Sequence, residues 1–171
     1  MDTKCRLSGF TFVRNAIKYD YPIVEAITSI LPVCDEFIIN VGNSDDGTLE
    51  LIQSMRSDKI KLVESVWDDD LRTGGHVLAQ QTDIALQHCT GDWCFYIQGD
   101  EVVHEKFLPF VPLTLSKYHS DDRVEGLLFK YLHFYGSYKY IGSSRRWYRQ
   151  EIRIIRNKRG IKSYKDAQGF R

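Results

Sequence analysis

The stretch Trp93-Cys94-Phe95-Tyr96-Ile97-Gln98-Gly99-Asp100-Glu101 decides the fold. Five consecutive apolar residues, Trp93 to Ile97, predict a strand covered on both faces, the pattern of a parallel sheet between helices. The strand runs straight into two adjacent carboxylates. In an open α/β sheet, ligands bind in the crevice beyond the carboxyl ends of the strands, so Asp100 and Glu101 are delivered there. Oxygen-only sites of this kind suit Mg2+ or Mn2+, above all when phosphates supply further ligands. His104 follows at a spacing that lets it reach the same ion. All three residues also suit the start of a helix near Glu105, where they would serve as caps.

The elements upstream agree. Leu7 to Val13 reads as a first strand ending at Arg14-Asn15. Pro22 suits a first helical turn, and Ile23, Ala26, Ile27, Ile30 and Leu31 keep the spacing of one apolar helix face. Phe37 to Val41 predicts a second buried strand. It leads into Gly42-Asn43-Ser44-Asp45-Asp46-Gly47-Thr48, a polar turn rich in helix-capping residues, followed by a helix with Leu49 and Ile52 on one face. Ile60 to Val63 is a third strand. Leu78, Thr82, Ala85 and Cys89 mark a third helix after Gly74-Gly75. Asp68-Asp69-Asp70 reads as a solvated charge run. Strands alternating with helices imply βαβ units. Beyond Glu105 the pattern changes to a helix at 107–118 and strands at 124–132, 134–140 and 152–155.

Composition bounds the rest. A chain of 171 residues is expected to form one domain that buries about 70% of its unfolded surface. No apolar run approaches the roughly 20 residues that span a bilayer, and Met1-Asp2-Thr3-Lys4 has no signal-peptide architecture. The four cysteines form no Cys-x-x-Cys pair, which predicts reduced thiols and a cytoplasmic protein. Net charge is zero but unevenly spread: residues 139–171 carry eleven Lys/Arg against two acidic residues. That basic end is either a solvated face or one that meets an anion. A dinucleotide-binding Rossmann protein, a P-loop enzyme, a serine hydrolase and a zinc protein each lack their motif here.

Element order and motifs together resemble family-two glycosyltransferases, the group with the nucleotide-sugar-binding GT-A fold. Val13-Arg14-Asn15 is similar to the family's opening strand with its terminal Asn. Ser44-Asp45-Asp46-Gly47-Thr48 resembles its Ser-Thr-Asp-Gly-Thr, and Thr90-Gly91-Asp92-Trp93 its Thr-Gly-Asp-Trp. Gln98-Gly99-Asp100-Glu101 occupies the place of Asp-x-Asp-Asp/Glu, and Glu151-Ile152-Arg153-Ile154-Ile155-Arg156 resembles the late Glu-x-Arg-Leu-Phe-Arg strand. Three positions depart from the pattern. Gln98 replaces the first metal-motif aspartate, Val41-Gly42 replaces an acidic pair, and Thr82-Asp83 replaces Arg-Asn.

The resemblance implies a GT-A-like α/β fold: a Rossmann-type, mostly parallel central sheet with helices on both faces and a mixed late-strand region. Residues 1–105 would bind the nucleotide sugar and 106–171 the acceptor, in a half expected to continue past Arg171. Arg14, Asn15, Asn40, Asn43, Asp46 and Gln98 would face the donor, with Asp46 a helix cap as the alternative. Asp100, with Glu101 and His104, would hold Mn2+ or Mg2+. Arg145, Arg146 and Arg149 offer bidentate hydrogen bonds to an anion or acceptor. Glu151, opening a late strand on the acceptor side, is the candidate base for inverting transfer, or else an ion-pair partner of Arg149 or Arg153. The acceptor, whether carbohydrate, lipid or protein, is open; nucleic acid is not expected, and peripheral membrane contact is allowed. A binding module on a degenerate transferase fold, favoured by Gln98, and a nucleotidyltransferase are the alternatives.

Overall fold

The computed structural model describes residues 5–68, 71, 74–157 and 159–171. Strands β1 (Leu7–Val13), β2 (Glu36–Gly42), β3 (Ile60–Ser65) and β4 (Trp93–Tyr96) alternate with helices α1 (Ile23–Ile30), α2 (Thr48–Gln53) and α3 (His76–Gln87). They are followed by α4 (Phe110–Tyr118), β5 (Gly126–Lys130), β6 (Gln150–Arg156), β7 (Ser163–Tyr164) and β8 (Gly169–Phe170). Six strands form one sheet in the order β3-β2-β1-β4-β6-β5. The first four run parallel, β6 is antiparallel to β4, and β5 is antiparallel to β6.

Alternation along each strand divides the core in two. Leu7 and Val13 of β1, Phe37, Ile39 and Val41 of β2, and Trp93 and Phe95 of β4 join Ile154 beneath α1, α2 and α4. Phe10, Ile38, Cys94, Tyr96 and Ile155 point the other way, against Ala85 and Cys89 at the end of α3 and against Phe170 of β8. The central strands β1, β2 and β4 are mostly apolar and buried because both faces are covered. Helix α1 seats Ile23, Ala26, Ile27 and Ile30 at full burial, four of the five positions its spacing selects, while Leu31 falls in the 3-10 turn that follows and is half-buried. All four cysteines are free thiols, three of them buried.

The late region departs from its sequence pattern. The helix expected from 107 begins as a 3-10 turn at Glu105–Phe107 and becomes α-helical only at Phe110, after Pro109. Residues 134–140 are not a strand: they fold as a hairpin with one antiparallel bridge, Phe134 to Ile141. The two-residue strands β7 and β8 form a second small sheet that packs on α3 and β6, and a segment so short gives no periodicity to read. Among the described residues no helix is long and apolar enough to cross a membrane.

The amino-terminal edge of the sheet is pinned by a buried carboxylate. Glu36 accepts hydrogen bonds from Ser8 Oγ at 2.6 Å, from the Thr90 amide at 2.7 Å and hydroxyl at 2.8 Å, and from Lys61 Nζ at 2.6 Å. Asp92 accepts from the Arg6 amide at 2.8 Å, and Gly91 donates to Ser8 Oγ at 2.8 Å. Thr90-Gly91-Asp92 is therefore a structural clasp at the end of the sheet opposite to Asp100. Desolvation alone would raise the Glu36 carboxyl, but its bonds from Lys61, Ser8 and Thr90 outweigh this and hold it at about 2, below its ordinary 4.5. A depressed carboxylate stabilises the fold fully above its unfolded value and loses that contribution as pH falls towards the folded one. Glu36→Gln is expected to cost about 2 kcal/mol at neutral pH. Denaturant titration should show that deficit shrinking as pH falls from about 4.5 towards 2, while the parent protein weakens.

Candidate functional site

The carboxyl ends of β1 and β4 open onto a crevice of about 760 Å³. Arg14, Asn15 and Lys18 line it from the segment after β1, Trp67 from beyond β3, Val77 and Leu78 from α3, and Gln98, Gly99 and Asp100 from beyond β4. Tyr148, Asp166 and Gln168 close it from the late half. A switch point lies between β1 and β4, because the strand order runs outward from β1 in both directions, which is where α/β sheets bind ligands.

One wall is a rigid turn. Asn15 adopts a left-handed φ of 54°, which Asn tolerates better than other side-chain-bearing residues. Its amide donates to Ser44 Oγ at 3.0 Å and its Oδ1 accepts from the Asp45 amide at 2.9 Å. Asp46 accepts from the Lys18 amide at 2.8 Å with one oxygen, and from the Thr48 amide at 3.0 Å and hydroxyl at 2.6 Å with the other. Asp46 thus holds the start of α2 and does not line the crevice. Arg14 lies 5.4 Å from the centre of the Trp67 ring, which also meets Phe12. Gly42 leaves no room for a Cβ beside that indole, so the Val41-Gly42 departure is what lets Trp67 fold over the strand end. Asn43 Oδ1 accepts from the Trp67 amide at 3.2 Å. Asn40 is not brought to the crevice. Strand alternation turns it inward, fully buried, where its Nδ2 donates to the Gln81 side chain at 2.8 Å. Asp68 is exposed, and Asp69 and Asp70 lie outside the described residues.

The strand-end carboxylates have divergent surroundings. Glu101 receives a two-pronged ion pair from Arg153, Nη2 to Oε1 at 2.7 Å and Nε to Oε2 at 3.0 Å. Tyr131 donates to Oε1 at 2.6 Å and the Gln98 amide to Oε2 at 3.1 Å. Burial opposes the Arg153 charge, but Glu101 outweighs it and keeps the guanidinium protonated; burial, then Glu101, holds Tyr131 neutral as a donor. Arg153 is the residue of β6 left without a partner where the β5 register shifts, and such bulges re-aim side chains beside sites. Its ring contacts with Tyr96 and Tyr131 and its Nη1 bond to Gln168 O at 2.9 Å fix it further. His104 turns away: Nδ1 accepts from the Lys106 amide at 3.3 Å and faces Glu105. Of the three expected ion ligands, Asp100 alone lines the crevice.

Asp100 stands open to solvent at the crevice mouth. Protein packed behind its carboxyl, and then the neighbouring Glu101 charge, raise it above the ordinary carboxylate range. Among the described residues no three His, Cys, Asp or Glu side chains stand together as a ready-made metal cage. One carboxylate plus phosphate oxygens is nevertheless a donor set that Mg2+ or Mn2+ accepts, so the residues fit an ion shared with a ligand.

The β7–β8 turn is the part of the site that no motif announced. Gln98 Nε2 donates to Ala167 O at 2.9 Å, and the left-handed Gly75, with φ 73°, makes room for Asp166, whose backbone would collide with a side chain there. Lys165 and Ala167 are left-handed too, at φ 54° and 62°, which places Asp166 in a constrained turn facing the crevice. Glu151 sits behind it. Its carboxyl is raised by burial against the lowering effects of Arg153 and a Gln168 hydrogen bond, and Gln168 is the residue that lines the crevice. Thr82 meets the Tyr96 hydroxyl and Asp83 accepts from the Ser163 amide at 2.7 Å, so these two substitutions serve α3 packing. Arg145, Arg146 and Arg149 are exposed, and of these Arg146 lines a separate shallow hollow with Tyr135, Tyr140 and Trp147. Removing one member of the Glu101–Arg153 pair leaves a buried charge uncompensated, so Glu101→Ala should cost about 3–5 kcal/mol. The double variant Glu101→Ala/Arg153→Met should recover part of that loss in denaturant titration.

Compared with models of known protein families, the chain matches none. It is 26% identical over 162 residues to the lipopolysaccharide core biosynthesis glycosyltransferase LpsC of Rhizobium meliloti, across 94% of this chain and 54% of LpsC. The chain thus spans about half the length of the curated relative it matches. Among solved structures, S. aureus TarS 1–349 in complex with UDP-GlcNAc superposes with a TM-score of 0.51 at 23% identity, covering 68% of this chain and 32% of that one. The mannosyltransferase PcManGT from Pyrobaculum calidifontis, in complex with GDP-Man and Mn2+, gives a TM-score of 0.51 at 20% identity over 73% and 35% of the two chains. The fold is GT-A-like, and the sequence is similar to that of a glycosyltransferase.

Proposed function

We propose that this GT-A-fold chain transfers a sugar from a nucleoside-diphosphate donor held in the β1/β4 crevice to an acceptor that enters from the late half. The observation that carries this is the placement of Arg14, Asn15, Gln98 and Asp100 around one cavity of about 760 Å³ at the sheet's switch point. The TarS and PcManGT complexes, which hold UDP-GlcNAc and GDP-Man on the same fold, support the reading. Arg14 and Lys18 bring positive charge to the phosphates, and Trp67 with Arg14 flanks the nucleoside end. Asp100 would hold Mn2+ or Mg2+ against the diphosphate, where such an ion neutralises charge on the departing nucleoside diphosphate. Glu101 orients: it fixes Arg153, which in turn holds the β7–β8 turn at Gln168 O.

Inverting transfer requires a carboxylate to take the proton of the acceptor hydroxyl as it attacks the anomeric carbon. Of the two acceptor-side carboxylates, Asp166 faces the crevice and Glu151 lies behind Gln168, so we assign the base to Asp166 and a supporting place to Glu151.

Two experiments test this. Calorimetry with a panel of nucleoside diphosphates should show binding strengthened by Mn2+, and Asp100→Asn should erase most of that strengthening while leaving the metal-free affinity near the parent value. Equal binding with and without the ion in both proteins would remove Asp100 as its holder. Turnover of the donor that binds best should fall by about 10²–10⁴-fold in Asp166→Asn with donor affinity unchanged, and by far less in Glu151→Gln. The reverse ranking would return the base to Glu151.

A further inference from the structure

We propose that the hairpin of residues 131–142, with the arginines that follow it, is a docking surface for an anionic membrane. The hairpin leaves β5 and doubles back: the Tyr135 amide donates to Tyr140 O at 3.0 Å and the Gly142 amide to His133 O at 2.8 Å, with Phe134 opposite Ile141. Alternation across this ladder gives it two faces. Tyr131 and His133 turn inward, stacked on each other and edge-to-face with Tyr148, while His133 also meets Trp147. Leu132, Phe134 and Ile141 turn outward and are 58%, 46% and 55% exposed. Tyr138, 87% exposed at the tip, packs its ring against Phe134 at 5.3 Å.

An outward face of Leu, Phe and Ile, with the Tyr138 hydroxyl at its tip, is predominantly apolar and so poorly suited to hydrogen-bonding a sugar, and its inner face is anchored by the aromatic stack. Charge identifies what covers it. Residues 126–150 carry Lys130, Lys139, Arg145, Arg146 and Arg149 and no Asp or Glu, in a chain whose charges balance overall at 23 against 23. All five cations are exposed. Apolar side chains that enter the acyl boundary and cations that meet lipid phosphates are the two signals that stable interfacial binding requires. Each cation near an anionic leaflet strengthens binding by about fivefold. Tyr and Trp, apolar in body and polar at the tip, suit the headgroup level. The five cations together attract an anionic bilayer and leave a neutral one weakly bound.

The test is flotation of the purified chain with phosphatidylcholine vesicles, with and without about one third phosphatidylglycerol. The parent protein should bind the anionic vesicles at least about tenfold more tightly than the neutral ones, with the excess lost at high salt. Phe134→Ser/Ile141→Ser should lower binding to anionic vesicles by about tenfold or more. Lys139→Glu, a change at an exposed tip residue, should lower it as well and serves if the double variant fails to fold. Absence of vesicle binding, or equal binding by Lys139→Glu, overturns the proposal. So does retention on heparin without binding to vesicles, which would make this a site for a soluble polyanion. Nucleotide binding in the crevice is measured separately, so failure here leaves that reading standing.

Discussion

The pairing of Glu101 with Arg153 is the interaction on which the site's geometry depends. It ties the end of a parallel strand to a bulged residue of an antiparallel one, two elements 52 residues apart in the chain. A two-pronged guanidinium–carboxylate contact fixes direction as well as distance, which a lysine would not do. Tyr131 adds its hydroxyl from the segment after β5, and Gln168 O accepts a further hydrogen bond from Arg153. One buried pair thus positions the strand end, the aromatic segment and the β7–β8 turn together. Most of the energy at stake in it is the penalty for leaving either charge alone in a dry place.

The parallel half was legible because its signals are local and redundant. Phe37 to Val41 and Trp93 to Ile97 are apolar runs too short for helices, and Ile23, Ala26, Ile27 and Ile30 keep a helical period. The same logic marked the strand ends, so Arg14, Asn15, Gln98 and Asp100 were found where the crevice is. Asn40 was misplaced by a period-two effect. It belongs to the face that packs on α3, while its neighbours Ile39 and Val41 pack on the opposite side. Strand ends can be read from composition, but which residue of a strand end faces out requires the register.

The late half was less legible because its determinants are contacts between distant segments. The bulge at Arg153 leaves no trace in a run of Ile and Arg, and β7 and β8 are too short to carry a pattern. The one local hint for Asp166 was a polar turn, Lys165-Asp166-Ala167-Gln168, whose left-handed residues are not glycines. The motif resemblances also mixed two kinds of residue. Thr90-Gly91-Asp92 and Arg156 hold the sheet edge and the end of α4, Arg156 by donating to the Tyr118, His119 and Asp121 carbonyls, whereas Asp100 and Arg153 serve the crevice.

Gln98 is a strut whose chemistry is tied to its amide. A carboxylate at that position has no proton to give to the Ala167 carbonyl, and two acceptor oxygens would then face each other across the turn. Restoring an aspartate in the first place of the motif would therefore not simply add an ion ligand. It would loosen the segment that presents Asp166 to the crevice, exchanging order in the β7–β8 turn for charge at the end of β4. Gln98 thus joins the Glu101–Arg153 pair in tying the end of β4 to the β7–β8 turn, and it does so as a hydrogen-bond donor that no carboxylate can replace.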